Sequence, residues 1–272
     1  MPEPEARRRR ERPGVEKIDK TQIPDFVGNC VFRSGNQLRD YQKEGVNWLV
    51  YNWLQHRGSI LADEMGLGKT VQATGFLQWL LQHKNRRGPF LVVAPLSVIP
   101  NWLREVEDWT DMNAIVFHGN EASRELILEH EFYFADPDSG QLLKKDDNGR
   151  QVFKFNILIT TWEMVMLDRD KNDGILSDVP WDTVIVDEAH RLKNRESKTF
   201  TSLQGFKSVP PVASSSIDPA HCVLMTGTPL QNNTEELWCL LHFLAPQQFA
   251  DLQEFVDRYG PTHALSHTPT HT

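Results

Sequence analysis

Lys69 and Thr70 close the stretch Leu61-Ala62-Asp63-Glu64-Met65-Gly66-Leu67-Gly68-Lys69-Thr70, set between an apolar run and an amphipathic helical pattern. Gly66 and Gly68 let the backbone turn tightly, so successive N–H groups face one concavity. Lys69 brings a mobile positive charge to that concavity, and the Thr70 hydroxyl can ligate magnesium. A helix beginning near Lys69 aims the positive end of its dipole at the same point. These parts make a cradle for the phosphates of a nucleoside triphosphate. The general P-loop pattern is matched incompletely, because Asp63 stands at its first glycine position. A second constellation, Asp187-Glu188-Ala189-His190, follows the apolar run Thr183-Val184-Ile185-Val186. One carboxylate there can hold magnesium opposite Thr70, and the other can polarise an attacking water. Alone it reads as an acidic loop; paired with the cradle it gains meaning.

The elements that must position these residues follow from periodicity and breakers. Gln37 to His56 reads as a helix ended by Gly58, and Ser59 to Ala62 as a strand. After the cradle, Ala73, Phe76, Leu77, Leu80 and Leu81 share one helical face, stopped by Arg86-Arg87-Gly88-Pro89. Phe90 to Ala94 is a buried-type strand. Pro100 suits the first turn of a helix carrying Trp102, Val106 and Trp109. Ala114 to Phe117 is a strand, and Glu121 to Phe134 is helical. Residues 136–151 are polar, with Asp147-Asn148-Gly149 predicting a hairpin. Phe155 to Thr160, Trp181 to Val186 and Val223 to Met225 are further strands. Ser208 to Ala220 reads as a loop. Leu237, Leu240, Leu241 and Leu244 mark a helix, and Asp251 to Tyr259 another. This alternation predicts an α/β fold, a single lobe whose mostly parallel sheet carries helices on both faces and a small β-hairpin excursion. Ligands of such sheets bind at the carboxyl ends of the strands, where the cradle, the acidic motif and the segment from Thr226 all fall.

Composition narrows the partners. A 272-residue chain with 39% hydrophobic residues can bury a sizeable core, and its formal charge of −8 excludes a uniformly basic surface. A local basic track for DNA phosphates remains compatible with that charge. Cys30, Cys222 and Cys239 are far apart in sequence, which fits a reducing compartment and no zinc site. His263, His267 and His271 are interrupted by Pro269 and read as a polar tail. No apolar run approaches the roughly 18 residues of a membrane span. The expectation is a soluble intracellular protein with no membrane contact. Residues 1–34 are charged and read as largely disordered, and residues 260–272 as a disordered tail. Arg7-Arg8-Arg9-Arg10 has two sharper readings, a nuclear-import signal and a phosphate-binding arm.

Leu38-Arg39-Asp40-Tyr41-Gln42, the cradle, Asp187-Glu188-Ala189-His190-Arg191-Leu192-Lys193-Asn194 and Leu224-Met225-Thr226-Gly227-Thr228-Pro229-Leu230-Gln231-Asn232 together carry a resemblance. Residues 35–259 resemble the first ATPase lobe, RecA-like, of Swi/Snf-type chromatin remodellers in helicase superfamily two. That family carries an aspartate where Asp63 stands. Gly35-Asn36-Gln37, Glu131-Phe132-Tyr133-Phe134 and Leu241-His242-Phe243-Leu244 are most similar to the chromodomain–helicase–DNA-binding (CHD) branch. The resemblance implies roles. ATP and Mg²⁺ are the cofactors, held by Gln42 at the adenine edge and by Asp63, Glu64, Met65, Gly66, Leu67, Gly68, Lys69 and Thr70 around the phosphates. Thr70 and Asp187 hold magnesium. Lys69, Asp187 and Glu188 are catalytic, Glu188 by activating water. His190, Thr226, Gly227 and Thr228 couple the nucleotide to DNA. Pro95, Leu96, Ser97, Thr160 and Thr161 contact phosphates of double-stranded DNA. For Ser97 and Thr161 a helix cap is an equal reading.

The implied function is the ATP-binding lobe of an ATP-dependent DNA translocase that remodels nucleosomes in the nucleus. Its partners are histones, DNA and a second ATPase lobe, which these residues do not include. The alternative is a fragment that binds nucleotide or chromatin without turnover. A DEAH-type RNA helicase is disfavoured, since such enzymes carry Ser-Ala-Thr where Thr226-Gly227-Thr228 stands. A signalling GTPase is disfavoured because Asn-Lys-x-Asp is absent.

Overall fold

The computed structural model describes residues 23–135, 142–143, 145, 152–170, 174–207, 221–227 and 234–259. Strands and helices alternate along them. The order is α1 (Asp40–Leu54), β1 (Ser59–Leu61), α2 (Lys69–Lys84), β2 (Phe90–Val93), α3 (Ile99–Trp109), β3 (Ala114–Phe117) and α4 (Glu121–Ile127). A π-helical turn, Leu128–Phe132, extends α4. Then follow β4 (Ile157–Thr160), α5 (Trp162–Asp170), β5 (Thr183–Val186), α6 (Lys198–Lys207), β6 (His221–Met225), α7 (Thr234–Leu244) and α8 (Leu252–Tyr259).

The six strands form one sheet in the order β1-β6-β5-β2-β4-β3. Every pairing is parallel. Parallel strands put all their carboxyl ends on one rim, so the loops that leave β1, β6, β5, β2 and β4 stand side by side. Neighbouring strands lie about 4.8 Å apart. That spacing brings the cradle, the Thr226 segment and the acidic motif onto three successive strands.

Side chains alternate across the strands and split the core in two. Leu61, Phe90, Val92, Ile157, Ile159, Ile185 and Val223 face α1, α2 and α3, which contribute Val46, Leu49, Phe76, Leu77, Leu80 and Trp102. Leu91, Val93, Leu158, Val184, Val186 and Leu224 face the other way, onto Val165, Phe200, Leu203, Leu240 and Phe243. Burial on both faces explains why β2, β4 and β5 read as unbroken apolar runs.

Some expectations change. Residues 23–34 belong to the packed body rather than to a disordered tail. The Phe26 and Val27 N–H groups donate to Asn47 Oδ1 at 2.9 and 3.1 Å. Trp79 Nε1 donates to the Phe26 carbonyl at 3.1 Å, and Val27 and Phe32 are buried. Two helices, α5 and α6, arise where the sequence shows no clear period. Both are short, and burial of Val165, Phe200 and Leu203 against the sheet stabilises them in place of amphipathicity. The Asp147-Asn148-Gly149 turn, the 208–220 loop, the Arg7–Arg10 run and the 260–272 tail lie outside the described residues. The polar excursion does show antiparallel bridges, Tyr133 with Phe153 and Ala135 with Leu142. Among the described residues no helix is long and apolar enough to cross a membrane.

Candidate nucleotide site

The cradle turns through two glycines that adopt left-handed backbone angles, Gly66 at φ +87° and Gly68 at φ +74°. A side chain would be strained at either position. Gly68 ends the loop as the N-cap of α2, so Lys69 and Thr70 open the helix. Lys69 Nζ bends back and donates to the carbonyls of Asp63 at 2.8 Å and Glu64 at 3.0 Å. Those partners are neutral, so an anionic phosphate is a stronger acceptor for the same ammonium. Asp63 itself is held from inside. Gln72 Nε2, on the fully buried Gln72 of α2, donates to Asp63 Oδ2 at 2.9 Å. The amide oxygen of Gln72 lies over Gly45 of α1, where no Cβ would fit.

Gln42 has other partners than an adenine edge. Its Oε1 accepts the Arg39 N–H at 3.0 Å, forming the cap of α1. Its Nε2 donates to the Leu67 carbonyl at 3.4 Å. The side chain therefore ties α1 to the cradle, and one amide hydrogen and one lone pair remain for a base. A cleft of about 720 Å³ opens beside it, lined by Tyr41, Trp48, Ile60, Asp63 and Leu67 among others.

The acidic motif leaves β5 in the same plane. The Asp187 N–H donates to the Val93 carbonyl at 2.8 Å. Its Oδ1 accepts the Glu188 N–H at 2.9 Å, and its Oδ2 accepts Trp102 Nε1 at 2.9 Å. Burial pushes the Asp187 carboxyl above its ordinary pKa. The hydrogen bonds from Trp102 and Glu188 and the Lys69 charge pull the other way, and the Glu188 charge adds to the rise. A divalent cation at this carboxylate would favour its ionised form. Glu188 sits at φ +50°, a left-handed conformation that costs a non-glycine on the order of 1–3 kcal/mol and persists where surroundings dictate it. His190 Nδ1 lies 3.1 Å from Glu188 Oε2.

The β6 segment closes the arrangement. The Thr226 N–H donates to the Leu61 carbonyl at 3.1 Å. Gly227 packs so tightly that a Cβ would sit 2.7 Å from Met65 Cγ and 3.7 Å from Lys69 Nζ. The expected coupling segment thus touches the cradle directly; Thr228 lies outside the described residues.

The residues expected at DNA divide. Leu96 and Ser97 are exposed and Pro95 is half-buried, on a turn between β2 and α3. Ser97 caps neither that turn nor α3. Thr160 and Thr161 are different: both are fully buried. The Thr160 hydroxyl donates to the Phe117 carbonyl at 2.7 Å, and Thr161 Oγ1 accepts the Met164 N–H at 3.4 Å. Their hydroxyls are engaged within the fold, by β3 and by the start of α5.

The donor set fits a magnesium nucleotide. The loop offers glycine-opened N–H groups and an ammonium. Thr70 and Asp187 would supply oxygens, and neither Asp187 oxygen has spent both lone pairs.

Known proteins share this fold. The profile of the SNF2-related domain matches residues 41–268. The chain belongs to the SNF2-related family. Within that family it is 49% identical over 232 residues to chromodomain-helicase-DNA-binding protein 8 of Xenopus tropicalis, covering 84% of this chain and 9% of that protein. It is 45% identical over 251 residues to the human chromodomain-helicase-DNA-binding protein 7, covering 91% of this chain and 8% of the relative. The chain thus spans less than a tenth of the length of these curated relatives. Among solved structures it resembles the Sulfolobus solfataricus SWI2/SNF2 ATPase core in complex with dsDNA. The TM-score is 0.60 and the identity 26%, over 83% of this chain and 39% of the other. The parallel sheet with helices on both faces is the RecA-like lobe of this family.

Sequence reasoning missed two residues of the site, Gln72 and Trp102. Gln72 carried a faint signal, an amide beside the apolar residues Ala73, Phe76 and Leu77. Trp102 carried none, because a tryptophan at helical spacing reads as core.

Proposed function

We propose that this SNF2-type lobe binds Mg-ATP and serves an ATP-dependent DNA translocase that acts on nucleosomes in the nucleus. The observation that carries the reading is the convergence of Lys69, Asp187, Glu188 and Gly227 on one rim of the sheet. In this reading the cradle N–H groups and Lys69 hold the β- and γ-phosphates. Gln42 and the adjoining cleft receive the adenine. Thr70 and Asp187 hold magnesium, which when bound neutralises charge on the phosphate oxygens. Glu188 takes the proton of the attacking water. His190 and Thr226-Gly227-Thr228 relay the state of the γ-phosphate along the rim. The relatives' names join chromodomain, helicase and DNA-binding, and support chromatin as the substrate.

Lys69→Ala removes a charge-assisted phosphate contact, a class worth about 1.5–3 kcal/mol, or roughly 10–150-fold in affinity. Titration with a fluorescent ATP analogue checks this, and equal affinity of both proteins would sink the assignment.

DNA is proposed to run along the other half of the rim, at Pro95-Leu96-Ser97 beyond β2. Contacts there go to phosphates, so binding should be sequence-blind and should weaken steeply with salt. The formal charge of −8 keeps such contacts few. Competition between unrelated duplexes over a range of salt concentrations tests it. A strong preference for one sequence contradicts translocation.

A further inference from the structure

Trp102 is fully buried, on the second turn of α3. Its indole N–H is its only polar group and can only donate. A buried indole N–H needs a partner, and here the partner is Asp187 Oδ2, at 2.9 Å. The other carboxylate oxygen is tied at 2.9 Å to the backbone of Glu188. Rotating the Asp187 side chain breaks one bond or the other, so its plane is set by two elements at once. One anchor belongs to the motif loop. The other belongs to a helix that packs against α2 and begins directly after the exposed Leu96-Ser97 turn. No apolar side chain of similar size could supply the second anchor.

We infer that Trp102 is a positioning residue for the magnesium carboxylate, its indole N–H holding Asp187 with free lone pairs directed at the nucleotide. The inference rests on the Mg-ATP reading above. Loss of a partner that orients a ligating carboxylate weakens metal binding by about 10–100-fold. Trp102→Phe keeps an aromatic ring in the core and deletes the donor.

The test measures binding rather than turnover. A fluorescent ATP analogue is titrated into wild type and Trp102→Phe, first in EDTA and then over a magnesium series. The expected result is an unchanged metal-free affinity and a magnesium requirement raised about 10–100-fold. In an Asp187→Asn background, Trp102→Phe should have no further effect on that requirement. If metal-free and magnesium-dependent binding fall together, Trp102 is only packing, and the inference is overturned. It is equally overturned if the variant matches wild type while wild type binds Mg-ATP normally. Wild type that shows no magnesium-dependent binding at all overturns the nucleotide reading along with it. Should Trp102→Phe fail to fold, the wild-type chain carries the test through its ¹⁵N-labelled indoles. The Trp102 indole resonance should move when magnesium is added to the nucleotide-loaded protein, and a stationary resonance overturns the inference.

Discussion

A polypeptide of these 272 residues should turn ATP over at near-background rates, with or without DNA, and a matching second ATPase lobe should raise the rate by roughly 10³–10⁵. The reason lies in what the rim supplies. In the proposed site, Lys69, Thr70, Asp187 and Glu188 would address phosphate, magnesium and water from one side. Charge that develops on the transferred phosphoryl group also needs a cation from the opposite side. The arginines nearest the acidic motif are engaged elsewhere. Arg191 stacks 5.8 Å over the Trp162 ring and lies 3.8 Å from Glu163. Arg195 stacks over Trp238 at 5.9 Å. Both are anchored to the side of the lobe that carries α5 and α7. A coupled-enzyme ATPase assay, with the second lobe of an SNF2-type enzyme added in trans or by fusion, measures the difference. Full-speed turnover by the chain alone would mean that the transition-state cation is already present.

Glu188→Gln, in that two-lobed assay, should lower turnover by about 10²–10⁴ and leave ATP binding intact. Glutamine keeps the shape of the side chain and loses the base. The backbone at φ +50° and the Asp187 bond to the Glu188 N–H are undisturbed by the change, so the loop holds its form. His190 stands 3.1 Å from the carboxylate and does not replace it, because its imidazole is oriented at Glu188 rather than beyond it. Turnover and analogue binding measured on one preparation separate the two roles. Loss of both would make Glu188 a nucleotide ligand instead of a base.

Much of this site is legible in the sequence because its parts follow strands. Three of the five rim loops, after β1, β2 and β5, are announced by apolar runs that end in proline or acid, and parallel pairing does the rest. What is not legible depends on contacts across the fold. Gln42 is a base-reading amide on paper, yet Arg39 and Leu67 already engage it. Thr160 and Thr161 have the hydroxyls a phosphate contact needs, but β3 and α5 take them inward. Residues 23–34 look like the end of a charged tail, while Phe26 and Val27 are placed by Asn47 and Trp79, and Phe32 by Trp109, whose roles only the folded chain reveals. Helix α6 hides because Gly205 and several hydroxyl residues blur its period. Trp102 shows the limit most clearly: the same residue serves as core and as donor, and sequence spacing reports only the first.

The pairing of β1 has a consequence for how the protein is made. Ser59 to Leu61 sits at one edge of the sheet, and among the described residues its strand partner is Val223 to Met225. The cradle leaves the ribosome well before the strand that seats it, which arrives at the far end of the lobe. At a synthesis rate of roughly 5–20 residues per second, that gap lasts on the order of 10–30 s. During it, β2, β4 and β3 can already pair, while the phosphate loop has no strand beside it. Nucleotide affinity is therefore expected only once β6 has inserted between β5 and β1. A nascent chain stalled before His221 would hold most of the motif residues and bind no ATP.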